Sequence, residues 1–235
     1  MIDGESTEQP AGPDGAVARF LLVRHGESTW NAVRRWQGRA DPPLSERGEQ
    51  QARDAVGRAT AEGPFDGVVT STLRRARRTG DLLADGLGLD VVDRLDDLCE
   101  RDAGEWQGLT RDEIHAGYPG FLDEGRRPPG YEADDDVVER AGRALVDLAR
   151  RRPGSTLLVV SHGGVINALE RHGGRDWLRL DNLEGRWFHL EPDGGGVRST
   201  PGEAGSDPSL RPTGDRVHLL GDVGSVDDPP TPGYA

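Results

Sequence analysis

A short apolar run that stops abruptly is the strongest constraint this chain places on its own fold. Phe20-Leu21-Leu22-Val23 shows no polar alternation and ends on Arg24-His25-Gly26. A strand with that pattern is covered on both faces, as in a parallel sheet flanked by helices. Gly26 lets the chain turn and brings its amide close to a ligand. Ligands in open α/β sheets sit beyond the carboxyl ends of the strands, so the run sets an imidazole and a guanidinium at the mouth of a site.

The rest of the chain repeats the theme. Strands are predicted at 19–23, 65–70, 89–92, 156–161 and 187–190. Between the first two, Ser45 is suited to cap a helix whose Ala52, Ala55, Val56 and Ala59 recur at helical spacing. Further helices are predicted at 73–83, at 135–151 (Val137, Val138, Ala141, Ala144, Leu145, Leu148) and from Val165 to Arg171. This alternation predicts an α/β three-layer sandwich, a mostly parallel central sheet with helices on both faces and flexible N- and C-terminal segments. Residues 17–190 are expected to form one domain, preceded by a disordered lead (1–16) and followed by a Gly/Pro-rich tail (191–235). Within the tail, 193–215 reads as linker and 216–220 as a candidate edge strand.

Composition narrows the chemistry. The 235 residues include 34 glycines and 16 prolines, and only 34% are hydrophobic, consistent with a modest core inside loop-rich flanks. A net charge of −13 argues against nucleic acid or an anionic membrane as partner. Every basic residue is arginine, so lysine Schiff bases and P-loop lysines are excluded. Cys99, the single cysteine, can neither close an intrachain disulfide nor build a zinc site by itself. No secretory signal or bilayer-length apolar segment is apparent, and a cytoplasmic location is expected.

Three further segments border apolar runs: Ser71-Thr72-Leu73-Arg74-Arg75-Ala76, Glu100-Arg101-Asp102-Ala103-Gly104-Glu105-Trp106, and Ser161-His162-Gly163-Gly164. If the sheet is parallel, these loops converge with Arg24-His25-Gly26 in one cleft holding two histidines, at least two arginines and a carboxylate. Arginine forks match phosphate oxygens, and glycines at a helix start expose amides to an anion. A neutral imidazole is a competent nucleophile toward phosphorus, and a carboxylic acid can protonate the leaving alkoxide. No carboxylate cage for a metal is evident, which leaves guanidinium and imidazole groups to neutralise the phosphoryl group. Asp134-Asp135-Asp136 reads as a helix start rather than a calcium site. No metal or cofactor is expected.

Together the four segments resemble the signature of the histidine phosphatase (phosphoglycerate mutase-like) superfamily over roughly residues 19–190. The resemblance implies that His25 is the nucleophile that becomes phosphohistidine and that Arg24, Arg75 and His162 bind the phosphoryl group. It also makes Glu100 the proton donor and Asn31 a phosphate contact, with the Gly163 amide as a further candidate. Gln37, in Trp36-Gln37-Gly38, reads either as a phosphate or substrate contact or as a loop hydrogen bond. The spacing Ser-x-Leu-x-Arg-Ala selects Arg75 over Arg74, and Glu100 is preferred to Glu27 and Glu105. His115, His172, His189 and His218 lack comparable neighbours.

The phosphatase branch is favoured over the mutases. Glu100 and His162 are only 62 positions apart, Asp102-Ala103 stands where mutases resemble one another in having His-Tyr, and lysine is absent. The expectation is a phosphomonoesterase of the histidine acid phosphatase type, independent of metal, acting on a small phosphorylated metabolite. A mutase-type phosphotransferase or a non-catalytic phospholigand-binding protein are the alternatives. Segment 108–133, with Tyr118, Phe121, Tyr131, Arg111, Arg126 and Arg127, is expected to cover the cleft, its aromatics either stacking on substrate or packing. Phosphoserine, α-ribazole phosphate, sugar phosphates and phosphoglycerate derivatives are the substrates suggested by analogy. A homodimer is one option for the oligomeric state.

Overall fold

A computed structural model describes residues 17–177, 179–190 and 210–220. The predicted lead (1–16), most of the predicted linker, and residues 221–235 lie outside the described residues.

In chain order the elements are β1 (Ala18–Arg24), α1 (Thr29–Ala32), α2 (Glu46–Asp54), α3 (Val56–Glu62), β2 (Gly67–Ser71), α4 (Arg74–Leu87), β3 (Val91–Leu95), α5 (Arg111–Gly117), α6 (Asp134–Arg151), β4 (Thr156–Ser161), α7 (Gly163–His172), β5 (Glu184–Leu190) and β6 (Leu210–His218). Six strands form one sheet in the order β3-β2-β4-β1-β5-β6. The pairs β2/β3, β2/β4 and β1/β4 are parallel, while β5 runs antiparallel to both β1 and β6.

The apolar run of β1 explains the layers. Phe20 and Leu22 face a core built on α6 and α7, whereas Leu21 and Val23 face Ala55, Ala59, Ala76 and Leu83 from α2 to α4. Side chains alternate across a strand, so a strand without polar residues needs cover on both faces. Each fully buried Leu or Val contributes about 1.5–3 kcal/mol relative to exposure, which makes this central strand the anchor of both layers.

Local differences from the predicted elements have identifiable causes. The helix capped by Ser45, whose Oγ accepts from the Gly48 amide, breaks at Ala55 into α2 and α3. Gly48 is where α2 meets the turn after β1: a Cβ there would lie 1.9 Å from the Glu27 carbonyl oxygen. β5 begins three residues earlier than predicted, because its first turns pair with β1 and β6 rather than following an apolar pattern. The edge strand spans Leu210–His218, so 210–215 is strand and not linker, and Leu219-Leu220 follow it as a turn. Among the described residues, no helix is long and apolar enough to cross a membrane.

Candidate active site

The carboxyl ends of β1, β2 and β4 open onto a cavity of about 690 Å³. Arg24, His25, Asn31, Gln37, Arg75, Glu100 and Gly163 all line it. His162 lies just beneath, fully buried, its ring centroid 5.1 Å from that of His25 in an edge-on arrangement. Parallel register explains the convergence: Arg24 pairs with Ser161 across β1 and β4, so the residues that follow each strand leave the sheet side by side.

His25 is 2% exposed and its orientation is fixed by the backbone. Nδ1 lies 2.6 Å from the Gly26 carbonyl oxygen, an arrangement in which Nδ1–H donates and Nε2 keeps its lone pair. Arg75 donates from Nε to that Nε2 at 3.1 Å. Burial, then the charges of Arg75 and Arg24, hold the His25 pKa well below the ordinary imidazole value. The ring is therefore neutral at neutral pH.

Arg75 is wholly buried at the start of α4, with Nη1 on the Ala40 carbonyl (2.7 Å) and Nη2 on the Gly38 carbonyl (2.9 Å). Burial lowers its pKa to about 10, against the raising influence of Glu100 and Asp41, so the guanidinium stays charged. Arg74 is exposed, and its backbone amide donates to Asp41. The two adjacent arginines thus go to opposite environments.

His162 caps α7, with Nε2 2.8 Å from Ser71 Oγ. Its Nδ1 is buried without a hydrogen-bond partner, an unmet polar atom next to His25. Burial and the charge of Arg75 lower its pKa strongly. Arg24 reaches across the cavity wall and donates from Nη1 to the Leu180 carbonyl at 2.6 Å.

Glu100 is held by two backbone amides, Arg101 N at 2.8 Å and Gly164 N at 3.1 Å. The amide engaged by a side chain at the start of α7 is thus that of Gly164, and the ligand of that amide is Glu100. Gly163 lines the cavity beside Arg24. Of the rival carboxylates, Glu27 also lines the cavity and accepts from Ser45 Oγ at 2.7 Å, whereas the exposed Glu105 lies outside the lining and accepts from the Tyr118 hydroxyl at 2.8 Å. In the capping box of α1, Asn31 Oδ1 accepts from Ser28, whose Oγ also donates to Gln37 Oε1 at 2.7 Å. Gln37 therefore makes a loop bond and lines the cavity as well.

Of the two roles open to the aromatics of 108–133, stacking on substrate or packing, the structure shows packing. Tyr118, Phe121 and Tyr131 turn away from the cavity and pack around the fully buried Trp106 with Ile114 and Leu122. Arg126 lies 4.0 Å over the Phe121 ring and Arg127 lies 5.9 Å from the Trp106 ring, so neither lines the cavity. Segment 108–133 contributes only Thr110, Arg111 and Asp112 to the wall. Much of the remainder comes from 33–38 and from Trp177 and 179–182. Sequence reasoning missed Ser71, Thr79, whose Oγ1 accepts from the Gly26 amide (3.0 Å), and Asn182, whose Nδ2 donates to the His25 carbonyl (2.8 Å).

The other histidines lie elsewhere: His115 accepts from Arg111 on α5, and His218 stands 3.5 Å from Glu184. Asp134 pairs with Arg101 and Arg171. Among the described residues no group of three or more His, Cys, Asp or Glu is arranged to hold a metal ion.

Known proteins resemble this chain in sequence and fold. The chain is 38% identical over 200 residues to the bifunctional protein Rv2228c of Mycobacterium tuberculosis (80% of this chain, 52% of that protein). It thus spans about half the length of the first curated relatives it matches. It is 36% identical to the uncharacterized phosphatase PhoE of Bacillus subtilis over 71% of this chain and 84% of that one. Among solved structures, the mycobacterial glucosyl-3-phosphoglycerate phosphatase Rv2419c in complex with VO3 superposes with a TM-score of 0.66 at 30% identity, covering 72% of this chain and 90% of the other. The model of the histidine phosphatase superfamily (branch 1) matches residues 20–198, so the chain belongs to that superfamily.

Proposed function

We propose that this protein hydrolyses a small phosphomonoester through a phosphohistidine formed on His25. The observation that carries the reading is the neutral His25 ring, pinned through Nδ1 to Gly26, with Nε2 among guanidinium groups in a cavity that also holds Glu100. A phosphoryl dianion entering the cavity takes the Nε–H of Arg75 away from His25 and frees the Nε2 lone pair. Arginine carries five N–H donors, and Arg75 commits only three of them, leaving two more for phosphoryl oxygens. Arg24 and the unmet nitrogen of His162 complete the cradle.

The reaction then runs in two displacements. His25 Nε2 attacks phosphorus opposite the ester oxygen; the N–P bond forms as the P–O bond breaks, and the electron pair leaves on the alkoxide. Glu100 gives that alkoxide its proton. Water next attacks the phosphohistidine, Glu100 takes a proton from it, and the N–P bond breaks to return neutral His25 and inorganic phosphate. Fixed cations near the phosphoryl oxygens supply the charge stabilisation without reorganising.

Phosphatase relatives support hydrolysis as the outcome, and the 62-position spacing from Glu100 to His162 favours water over a second hydroxyl as acceptor. The test is release of phosphate from p-nitrophenyl phosphate and a panel of metabolite phosphomonoesters, with and without EDTA. Activity that survives EDTA and disappears in His25→Ala is expected. Strict dependence on added magnesium would contradict the mechanism. Isomerisation of 3-phosphoglycerate requiring a bisphosphorylated primer would instead point to the mutase reaction.

A further inference from the structure

Four charged side chains lie buried where α7 meets β5 and the edge strand β6. Glu170 of α7, Glu184 and Arg186 of β5, and Arg216 of β6 have side chains between 1% and 8% exposed. The quartet balances two cations against two anions, which a buried cluster requires. Arg186 donates from Nε to Glu170 Oε1, and Arg216 donates from Nη2 to Glu170 Oε2 at 2.6 Å.

Arg216 does more than neutralise Glu170. Nη2 also reaches Asn167 Oδ1 at 3.1 Å, and Nη1 donates to the Arg179 carbonyl at 2.6 Å. The next carbonyl along, Leu180, accepts from Nη1 of Arg24 at 2.6 Å. The same short segment is held at Asp181, whose amide donates to Glu184 at 2.7 Å, and at Leu183, whose carbonyl accepts from the Leu219 amide at 3.1 Å. Thus two successive carbonyls of one loop are gripped by two arginines, one from β6 and one from the cavity.

We propose that Arg216 is a positioning residue for the phosphoryl site: it sets the Arg179–Leu180 segment, and through the Leu180 carbonyl it aims the Arg24 guanidinium. A guanidinium is needed for this role. Its planar fork holds Glu170, Asn167 and a main-chain carbonyl at once, which an ammonium on a flexible stem cannot do. The inference rests on the phosphoryl site proposed above, and on the loop geometry independently of it.

The test uses the 235-residue chain with orthovanadate as the phosphoryl probe, titrated calorimetrically. Hydrogen bonds to charged groups are worth roughly tenfold or more in an equilibrium, so Arg216→Lys is expected to weaken vanadate about tenfold. Arg24→Gln is expected to weaken it at least as much. Because Arg216 acts through Arg24, the double variant should bind no worse than Arg24→Gln. Losses that multiply, or a folded Arg216→Lys protein with unchanged affinity, would overturn the proposal. Should Arg216→Lys fail to fold, the pair Arg216→Gln/Glu170→Gln removes one charge of each sign and carries the same expectation. If the wild type binds no vanadate, the phosphoryl reading fails, and hydrogen exchange then decides the brace. Asp181 and Glu184 amides should exchange faster in the variant, and unchanged exchange would refute it.

Discussion

Arg75 Nε lies 3.1 Å from His25 Nε2, so a guanidinium donates into the lone pair of that ring nitrogen. In the proposed mechanism this contact holds the nucleophile in register and is exchanged for a phosphoryl oxygen when substrate arrives. Arg75→Lys should therefore lower kcat/KM by about a hundredfold, since a point charge replaces neither the Nε contact nor the two carbonyl anchors. Steady-state kinetics on p-nitrophenyl phosphate checks this, with Arg74→Lys expected to stay near wild type.

Glu100 depends on the bareness of its neighbour. A Cβ on Gly164 would fall 2.2 Å from Glu100 Oε1, whereas one on Gly163 would meet nothing nearer than 3.7 Å, at Arg24 Cδ. Gly164→Ala should displace the carboxylate and slow alkyl phosphates at least about tenfold. Gly163→Ala should be mild by comparison. Equal effects in the two variants would remove the steric argument.

If Glu100 protonates the leaving group, Glu100→Gln should slow alkyl phosphates by about 10²–10⁴-fold while affecting aryl phosphates far less. Aryl oxides are stable enough to depart unprotonated. Comparing kcat across esters of graded leaving-group basicity reads this directly, and a uniform loss would argue for a binding role.

His25 and His162 both have pKa values depressed by burial and neighbouring cations. The unfolded chain then binds more protons than the native one below about 6.5, the ordinary imidazole value, so stability is full above that pH and declines as pH falls below it. Urea unfolding between about pH 8 and pH 5 should show this decline, and His25→Gln/His162→Gln should flatten it.

The aromatics of 118–131 are structural. Trp106→Ala should cost about 3–5 kcal/mol, because its ring is the centre of the satellite core around which Ile114, Leu122 and the flanking aromatics pack. Phe121→Leu should lower Tm while leaving KM unchanged, since Phe121 does not line the cavity.

Much of this was legible in the sequence because burial on both faces of a strand demands uninterrupted apolar residues. Phe20–Val23 and Leu157–Val160 announce themselves, and parallel register then brings Arg24 and Ser161 together. What remained hidden depends on partners distant in the chain. Segment 179–182 reaches the site only because β5 is antiparallel to β1, which sets Gly185 opposite Val23, and no local pattern encodes that direction. The strand at Leu210–His218 sits in a Gly/Pro-rich stretch, and Arg216 reads as any surface arginine until Glu170 and Glu184 surround it. Tyr118 and Phe121 were ambiguous for the opposite reason: an aromatic near a cleft serves packing or binding equally well until Trp106 is placed beneath it.

The central claim is covalent, and trapping the intermediate tests it most directly. Enzyme quenched in alkali during turnover of an aryl phosphate, digested and read by mass spectrometry, should carry one phosphoryl group on the peptide containing His25, labile to acid and absent from His25→Ala. Full turnover with no phosphoenzyme, or with the group on another residue, would contradict the account.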